Sequence, residues 1–425
     1  MPARASSIAA AIAGAAGVAC SHSSSHPVDA SPDAGSNAIA LTVGVDTNVT
    51  SPSGLATLPD EHTSFLPVGP SNYLVFAATS TAASGPDKTG AIVFRSSDLS
   101  TFTLANGYGQ TALGGLVFVA PSAFTDCSFS GPGSFDQNYA APGGVVHDPT
   151  LPAGNQIMVY EAEQHCFGGQ YDFNYFATIG LARSSDGGVT WPASGAADRY
   201  AILQVPGAKP TATPAPPEGD AIPTAFVDDV ASGHYLYVVY ENQGASTIQP
   251  DGYLRVARTQ LGASGPLAFS KWNQGQWTEP GIGGLDSAMT PTRGCGDSGF
   301  QDAGQISYVD ALHLYVLTFV CVTLQQTSPG TYVPVQGSWY FSTATSLATQ
   351  DWSPPQLIDG STAAVTAAPT ASCPAGAAFD GWYPSFVTPG SANGHLGQSG
   401  LVFFLDGCNG GTSGRVFSSR TFAFH

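Results

Sequence analysis

From about residue 39 onward the apolar positions come in short runs broken by Gly, Asn, Pro and Asp. No stretch keeps the 3.6-residue period of an amphipathic helix. One phrase recurs instead: a polar or acidic loop, a short strand of small residues, a turn, then a strand of aromatic and aliphatic residues. Asp60-Glu61-His62-Thr63-Ser64-Phe65 leads to Tyr73-Leu74-Val75-Phe76-Ala77. His147-Asp148-Pro149-Thr150-Leu151 leads to Gln156-Ile157-Met158-Val159-Tyr160. Asp220-Ala221-Ile222-Pro223-Thr224-Ala225-Phe226 leads to Tyr235-Leu236-Tyr237-Val238-Val239-Tyr240. Asp302-Ala303-Gly304-Gln305-Ile306-Ser307-Tyr308 leads to the run from Leu312 to Phe319, and Asp380-Gly381-Trp382-Tyr383-Pro384-Ser385-Phe386 to Gly400-Leu401-Val402-Phe403-Phe404-Leu405.

A third strand follows most copies, as in Ala91-Ile92-Val93-Phe94-Arg95 and Ala177-Thr178-Ile179-Gly180-Leu181. A fourth is expected at Phe269-Ser270-Lys271-Trp272. Copies stand roughly 70 to 90 residues apart, longer than the ~40–50 of compact propeller repeats, which loop insertions account for. Five units of four strands predict an all-β chain, a five-bladed β-propeller filling residues 39–425 as one domain. Leu41-Thr42-Val43-Gly44-Val45 would close the ring by pairing with the last strand and hide both sheet edges. Six blades follow if the stretch 109–141 hides a degenerate unit. Two unrelated β-sandwiches are the competing architecture.

Composition fits this reading. The 425 residues include 51 Gly and 32 Pro, only 10% are charged, and 43% are hydrophobic, enough for a large core. The net charge of −18 speaks against nucleic-acid partners and against binding to bare anionic membranes. At the start, Ala3-Arg4 precedes an apolar run from Ile8 to Ala19, the layout of a secretory signal peptide too short to span a bilayer. Gly17-Val18-Ala19-Cys20 resembles the lipobox of bacterial lipoproteins, with Gly17 where Leu is usual. That resemblance implies a signal segment over 1–20 and lipidation at Cys20. Ser21 behind it resembles outer-membrane sorting. Ordinary cleavage near Ala19 is the alternative. Residues 21–38, rich in Ser, Pro and Asp, read as a flexible tether. The expected location is the outer membrane or cell surface, or the secreted fraction, with the membrane engaged only through a lipid anchor.

Without Cys20, six of the seven cysteines remain, an even number suited to three disulfides in an exported chain. Nearest-neighbour pairing gives Cys127–Cys166, Cys295–Cys321 and Cys373–Cys408; sequence alone leaves the connectivity open. No CxxC motif suggests structural zinc. No cofactor is expected, and Ca²⁺ on loop oxygens is the ion the acidic loops would suit.

Ser184-Ser185-Asp186-Gly187-Gly188-Val189-Thr190-Trp191 matches the Asp-box pattern of sialidases and many other propellers. Ser96-Ser97-Asp98-Leu99-Ser100-Thr101-Phe102 is a degenerate copy, and the stretch from Ser346 to Trp352 a weaker echo. This motif is structural and carries no chemistry of its own.

Chemistry would come from the acidic loops, which a radial arrangement gathers on one axis. Glycoside hydrolysis needs two carboxyl groups, one held protonated. The ring offers Asp60 or Glu61, Asp148, Glu218 or Asp220, Asp302 and Asp380. On these positions the chain resembles the five-bladed glycosidases of the arabinanase/xylosidase and levanase/invertase type. The resemblance implies Asp60 or Glu61 as base, Asp148 in His147-Asp148-Pro149 as pKa modulator, and Glu218 in Pro217-Glu218-Gly219-Asp220 as general acid. His147 stands where the levanase type has Arg. His147, Asp220, Asp302, Asp380, Trp382 and Tyr383 are expected to bind substrate, the last two by stacking on sugar faces or else by filling the core. Asp and Asn at strand ends are also ordinary turn residues, so a non-catalytic propeller binding a glycan or a protein is the alternative. A sialidase would need an arginine triad, and most arginines here fall in the third strands. Cys295-Gly296-Asp297-Ser298-Gly299 resembles a trypsin-like motif, which the repeated strands contradict. His62, His147 and His165 lack the spacing of a transition-metal site. The expected partner is carbohydrate, and the expected state a monomer.

Overall fold

The computed structural model describes residues 39–425 apart from 46, 50–60, 70, 81–87, 110–114, 129–133, 208, 210, 211, 214–216, 232, 244–251, 263, 264, 296–298, 329, 330, 362, 365–380 and 407–415. The described chain is all-β, with one short 3₁₀ turn at Ser134–Asp136. Strands β1 (Leu41–Val43) and β2 (Thr47–Asn48) open it. A first antiparallel stack follows: β3 (Ser64–Gly69), β4 (Asn72–Ser80), β5 (Thr89–Ser96) and β6 (Thr103–Leu104), with β7 (Phe118–Val119) also on β5. Within 109–141, β7 is thus part of the first sheet.

Next comes a nine-stranded sheet. Its first half holds β8 (Tyr139–His147), β9 (Gln156–Phe167), β10 (Gln170–Ser184) and β11 (Arg199–Leu203). Its second half holds β12 (Glu218–Asp228), β13 (Tyr235–Gln243), β14 (Leu254–Gln260), β15 (Ser270–Asn273) and β16 (Gln276–Pro280). A short parallel contact, Phe176 with Glu218 and Ala177 with Gly219, joins the halves. The following sheet has β17 (Gly299–Val309), β18 (Leu314–Ser328), β19 (Thr331–Ala344), β20 (Gln356–Leu357) and β21 (Ala363–Ala364). The last stack is β22 (Trp382–Val387), β24 (Ser399–Asp406) and β25 (Val416–Phe424); β23 (His395–Leu396) leaves it to pair with β17. The N-terminal strand completes this stack, with Leu41 opposite Phe424 and Val43 opposite Phe422.

Each second strand is buried on both faces, which is why it reads as a continuous apolar run rather than an alternating one. In β4, Tyr73, Val75 and Ala77 enter a core shared with Phe403 of the last stack. Leu74 and Phe76 enter another shared with Met158 and Tyr160 of β9. In β13, Leu236, Val238 and Tyr240 meet Leu181 of β10, while Tyr237 and Val239 meet Phe319 of β18. In β18, Val316 and Val320 meet Phe404 of β24. Every stack is therefore packed between two others, and the last rests on the first.

The first strands of the stacks meet around an axis. Val145 N–H donates to Ser64 Oγ at 2.9 Å, joining β8 to β3. A Cβ on Gly143 would lie 1.8 Å from the Pro223 carbonyl oxygen, so only glycine lets β8 approach β12 this closely. Thr224 Oγ1 donates to Gly304 O at 2.5 Å, and Phe386 N–H donates to Gln305 Oε1 at 2.8 Å. Thr63 N–H donates to Ser385 Oγ at 3.1 Å and closes the circle.

The second copy of the repeated phrase is displaced from its expected phase. His147-Asp148 ends the first strand of its stack rather than opening it. The true first strand, Tyr139-Ala140-Ala141-Pro142-Gly143-Gly144-Val145, is built of small residues and reads as a loop. Close approach of neighbouring backbones at the axis demands those small residues.

Candidate functional site: a buried carboxyl cluster at one end of the axis

Four of the first strands carry a bulge at the same height: between Pro142 and Gly144, Ala221 and Thr224, Asp302 and Gln305, and Trp382 and Ser385. A bulge turns one backbone group out of the ladder. At Ile222, Ala303 and Tyr383 the backbone is left-handed, with φ of 49°, 51° and 55°. Such strain in non-glycine residues persists only where the surroundings hold it. Here two glutamates hold it. Glu161 Oε2 accepts the N–H of Ile222 at 2.7 Å, and Glu241 Oε1 accepts that of Ala303 at 3.1 Å. Glu161 lies opposite Ala141 in β9, and Glu241 opposite Ala221 in β13. The second strands β9 and β13 thus each latch the bulge of the next stack.

Three further carboxyl groups join them. Glu61, Glu163 and Asp302 are all at least 98% buried. Glu161 exchanges side-chain hydrogen bonds with both Glu61 and Glu163, and Glu241 with Asp302. Two carboxyl groups can hydrogen-bond only if one keeps its proton. Burial, then the Glu163 charge, pushes Glu161 well above the usual carboxyl range. Burial, then the Asp302 charge, does the same to Glu241. Burial also raises Asp302, against the opposing pull of its bonds to Glu241 and Ala303. His165 extends the set. Its Nδ1 faces the Asp172 carbonyl at 3.0 Å and therefore carries a proton, while Nε2 meets Glu163 Oε2 at 2.6 Å. A carboxyl that keeps its proton beside a second carboxyl is the provision that general acid–base chemistry requires.

His62 sits beside this cluster, fully buried, its ring edge-on to Tyr383 at 6.1 Å. Neither ring nitrogen is in hydrogen-bonding geometry, although the backbones of Ala303 and Pro384 lie close. Burial drives its pKa down to about 3, so the imidazole is neutral. It opens onto a polar axial cavity of about 50 Å³ lined by Thr63, Ser64, Thr224, Gln305 and Ser385.

The sequence-predicted residues divide. Glu61 and Asp302 belong to the cluster. Glu218 is half-buried and begins β12 at this same end. Asp60 and Asp380 lie outside the described residues, as do Cys20, Cys373 and Cys408. Asp148 lies at the opposite end of β8, where its carboxylate accepts the N–H and Oγ1–H of Thr150 and shapes the turn into β9. His147 is held there too, Nδ1 to Asn155 O at 2.9 Å. Asp220 faces Lys271 Nζ at 2.9 Å inside the third stack, within reach of Asp286 and Arg255. Burial lifts Asp220 to about 6 against the pull of Lys271. Trp382 and Tyr383 are packed in the core shared by the last two sheets. The structure thus does not bring Asp148 to Glu61 and Glu218, because the second repeat is out of phase with the others. Glu161, Glu163 and Glu241 were missed by the sequence reading. A signal existed: Val159-Tyr160-Glu161 recurs as Val239-Tyr240-Glu241 in the following repeat.

Two of the predicted disulfides are formed, Cys127–Cys166 on β9 and Cys295–Cys321 on β18. In the Asp186 turn, Asp186 accepts from Ser184 Oγ at 2.7 Å and from Thr190 N at 3.0 Å, and Trp191 meets Phe76 of the first stack edge-on at 6.2 Å.

No protein-family model matches this chain, and no curated protein matches it. Among solved structures, one titled "Glycoside hydrolase" is similar at 13% identity with a TM-score of 0.49, covering 88% of this chain and 90% of its own. An inulosucrase from Halalkalicoccus jeotgali bound to kestose is 15% identical, with a TM-score of 0.47 and coverage of 86% and 80%. An endo-arabinase from Bacteroides thetaiotaomicron is 11% identical, with a TM-score of 0.40 and coverage of 87% and 95%.

Proposed function

We propose that this chain is a five-bladed β-propeller that hydrolyses a glycosidic bond at the acidic end of its axis. One observation carries the reading: Glu61, Glu161, Glu163, Glu241 and Asp302, contributed by four repeats, meet there and hydrogen-bond to one another in part. The stacks packed each on the next, and the last on the first, support the propeller. The Asp186 turn fits an Asp box. In this reading Glu241 is the proton donor, since burial and the Asp302 charge raise it well above the usual carboxyl range. Glu61 is the base, and Glu161 with Glu163 sets its charge. Glu218, half-buried at the same end, is the competing donor that the family resemblance implies. Inverting hydrolysis needs the acting carboxyls roughly 6.5–9.5 Å apart and retaining hydrolysis about 5–5.5 Å. Export through the N-terminal segment, with lipidation at Cys20, is part of the same proposal, since extracellular carbohydrate is the substrate class.

A second reading has its own observation. Glu161 and Glu241 already spend one oxygen each on backbone N–H groups. Carboxyls so committed also suit a rigid, non-catalytic floor beneath a glycan-binding surface. The test is turnover of an aryl-glycoside and polysaccharide panel by the wild type, Glu241→Gln and Glu218→Gln. Loss of ~10²-fold or more in Glu241→Gln alone supports the assignment. Loss in Glu218→Gln alone moves the donor role there. Saturable glycan binding with no turnover by any form establishes the second reading.

A further inference from the structure

The connection between β22 and β24 does more than link two strands. It crosses the end of the axis opposite the carboxyl cluster and touches every other stack. Gly390 N–H donates to Tyr73 Oη of the first stack at 2.6 Å. Asn393 Nδ2 donates to Val145 O of the second at 3.1 Å. A Cβ at Gly394 would lie 2.8 Å from Phe226 of the third. Tyr308 and Asp310 of the fourth donate their N–H groups to Gly394 O at 2.9 Å and Leu396 O at 3.0 Å. Ser391, Asn393 and His395 line the far end of the axial cavity that reaches His62.

His395 is the fastening point. Its Nε2 lies 2.9 Å from Asp229 Oδ1, just past β12, and its Nδ1 2.8 Å from Asp310 Oδ1, just past β17. Both nitrogens face carboxylate oxygens, which only accept. A neutral imidazole has one N–H, so it satisfies one carboxylate and turns a lone pair on the other; the imidazolium satisfies both. We propose that residues 388–396 form a plug across this end of the axis, with His395 as its charge-operated latch, fastened as the imidazolium and loosened as the neutral ring.

The surroundings favour that charge. Partial burial opposes it, but the hydrogen bonds to Asp310 and Asp229, and their charges, prevail and raise the imidazole above its ordinary value. Tyr308 also faces the ring, 5.6 Å away, and its Oη meets His313 Nδ1 at 3.5 Å. Asp228, next to Asp229, is taken by Tyr315 Oη at 2.8 Å. Among the described residues no lysine or arginine pairs with Asp229 or Asp310.

Hydrogen exchange on the full chain tests this, read on the peptides that hold 388–396 and 308–310 and corrected for intrinsic base catalysis. Both aspartates are about half exposed, so the latch is modest: about fivefold faster corrected exchange is expected at about pH 8.5 than at about pH 6. His395→Gln is expected to show the fast rate at both. Equal corrected rates at the two pH values in the wild type overturn the latch. A companion NMR titration of the wild type needs no variant: His395 titrating below about 6.5 also overturns it.

Discussion

Glu161 accepts the Ile222 N–H at 2.7 Å across the boundary between two stacks, so a carboxyl group on one repeat fixes a strained turn on the next. Glu241 and Ala303 repeat the relation one stack further on at 3.1 Å. The same two glutamates carry the proton-sharing contacts of the candidate site. Structure and chemistry therefore draw on one set of atoms, and substitutions there separate into two kinds.

Glu161→Gln keeps an acceptor for Ile222 N–H but cannot ionise. Glu161→Ala removes the acceptor and leaves a buried N–H alone. An unsatisfied buried donor costs about 1–3 kcal/mol, so Glu161→Ala is expected to lower the unfolding free energy by that amount and Glu161→Gln by clearly less. Chemical denaturation of the two variants beside the wild type checks this. Equal losses in both would mean that the Ile222 bond contributes nothing of its own.

Acidic groups with raised folded-state pKa values bind more protons folded than unfolded. Stability is then full below the ordinary carboxyl range and declines as pH rises toward the raised value. For Asp220 that window runs from 3.8 to about 6. Glu161 and Glu241 are raised well above the usual carboxyl range, so theirs extends higher. His62 acts oppositely: its depressed pKa makes the protein lose stability as pH falls from 6.5 toward about 3. Above 6.5 its contribution is flat. Melting temperature is therefore expected to fall as pH rises from about 6.5 to about 8.5, and the fall to flatten in Glu161→Gln/Glu241→Gln. A melting temperature that rises across that interval would show that the cluster carboxyls ionise without penalty.

Much of this fold was legible in the residues. The apolar runs at Tyr73–Ala77, Tyr235–Tyr240 and Gly400–Leu405 mark strands buried on both faces, and Leu41–Val43 does pair with the C-terminal strand. Cys127–Cys166 and Cys295–Cys321 are nearest-neighbour pairs, one of the connectivities that the sequence leaves open. The site was less legible, for two physical reasons. A strand of Ala, Pro and Gly at a crowded axis has the composition of a loop, so the sequence pattern puts Asp148 at the start of a strand when it follows the end of one. Glu161 and Glu241 lie inside strands rather than in acidic loops, and a Glu that follows an apolar run within a strand carries no turn signal. Only the spatial neighbour, a bulged N–H some 60 residues onward, explains why it is there.

The third stack holds a buried ion-pair network whose removal separates charge from packing. Lys271 Nζ lies 2.9 Å from Asp220 and 3.6 Å from Asp286, and Arg255 Nε 3.0 Å from Asp286, all with side chains at most 2% exposed. Tyr240 Oη donates to the same Asp286 at 2.8 Å. Lys271→Met strands the Asp220 carboxylate in a dry interior, and breaking a buried pair from one side typically costs about 3–5 kcal/mol. Adding Asp220→Asn removes the stranded charge, so the double variant is expected to recover a large part of that loss. A double-mutant cycle by denaturant unfolding measures it. Because Asp220 is taken up by Lys271 here, the double variant is also expected to keep whatever carbohydrate activity the wild type has. Strong loss of activity in a well-folded double variant would return Asp220 to the substrate-binding role that its position in the sequence suggested.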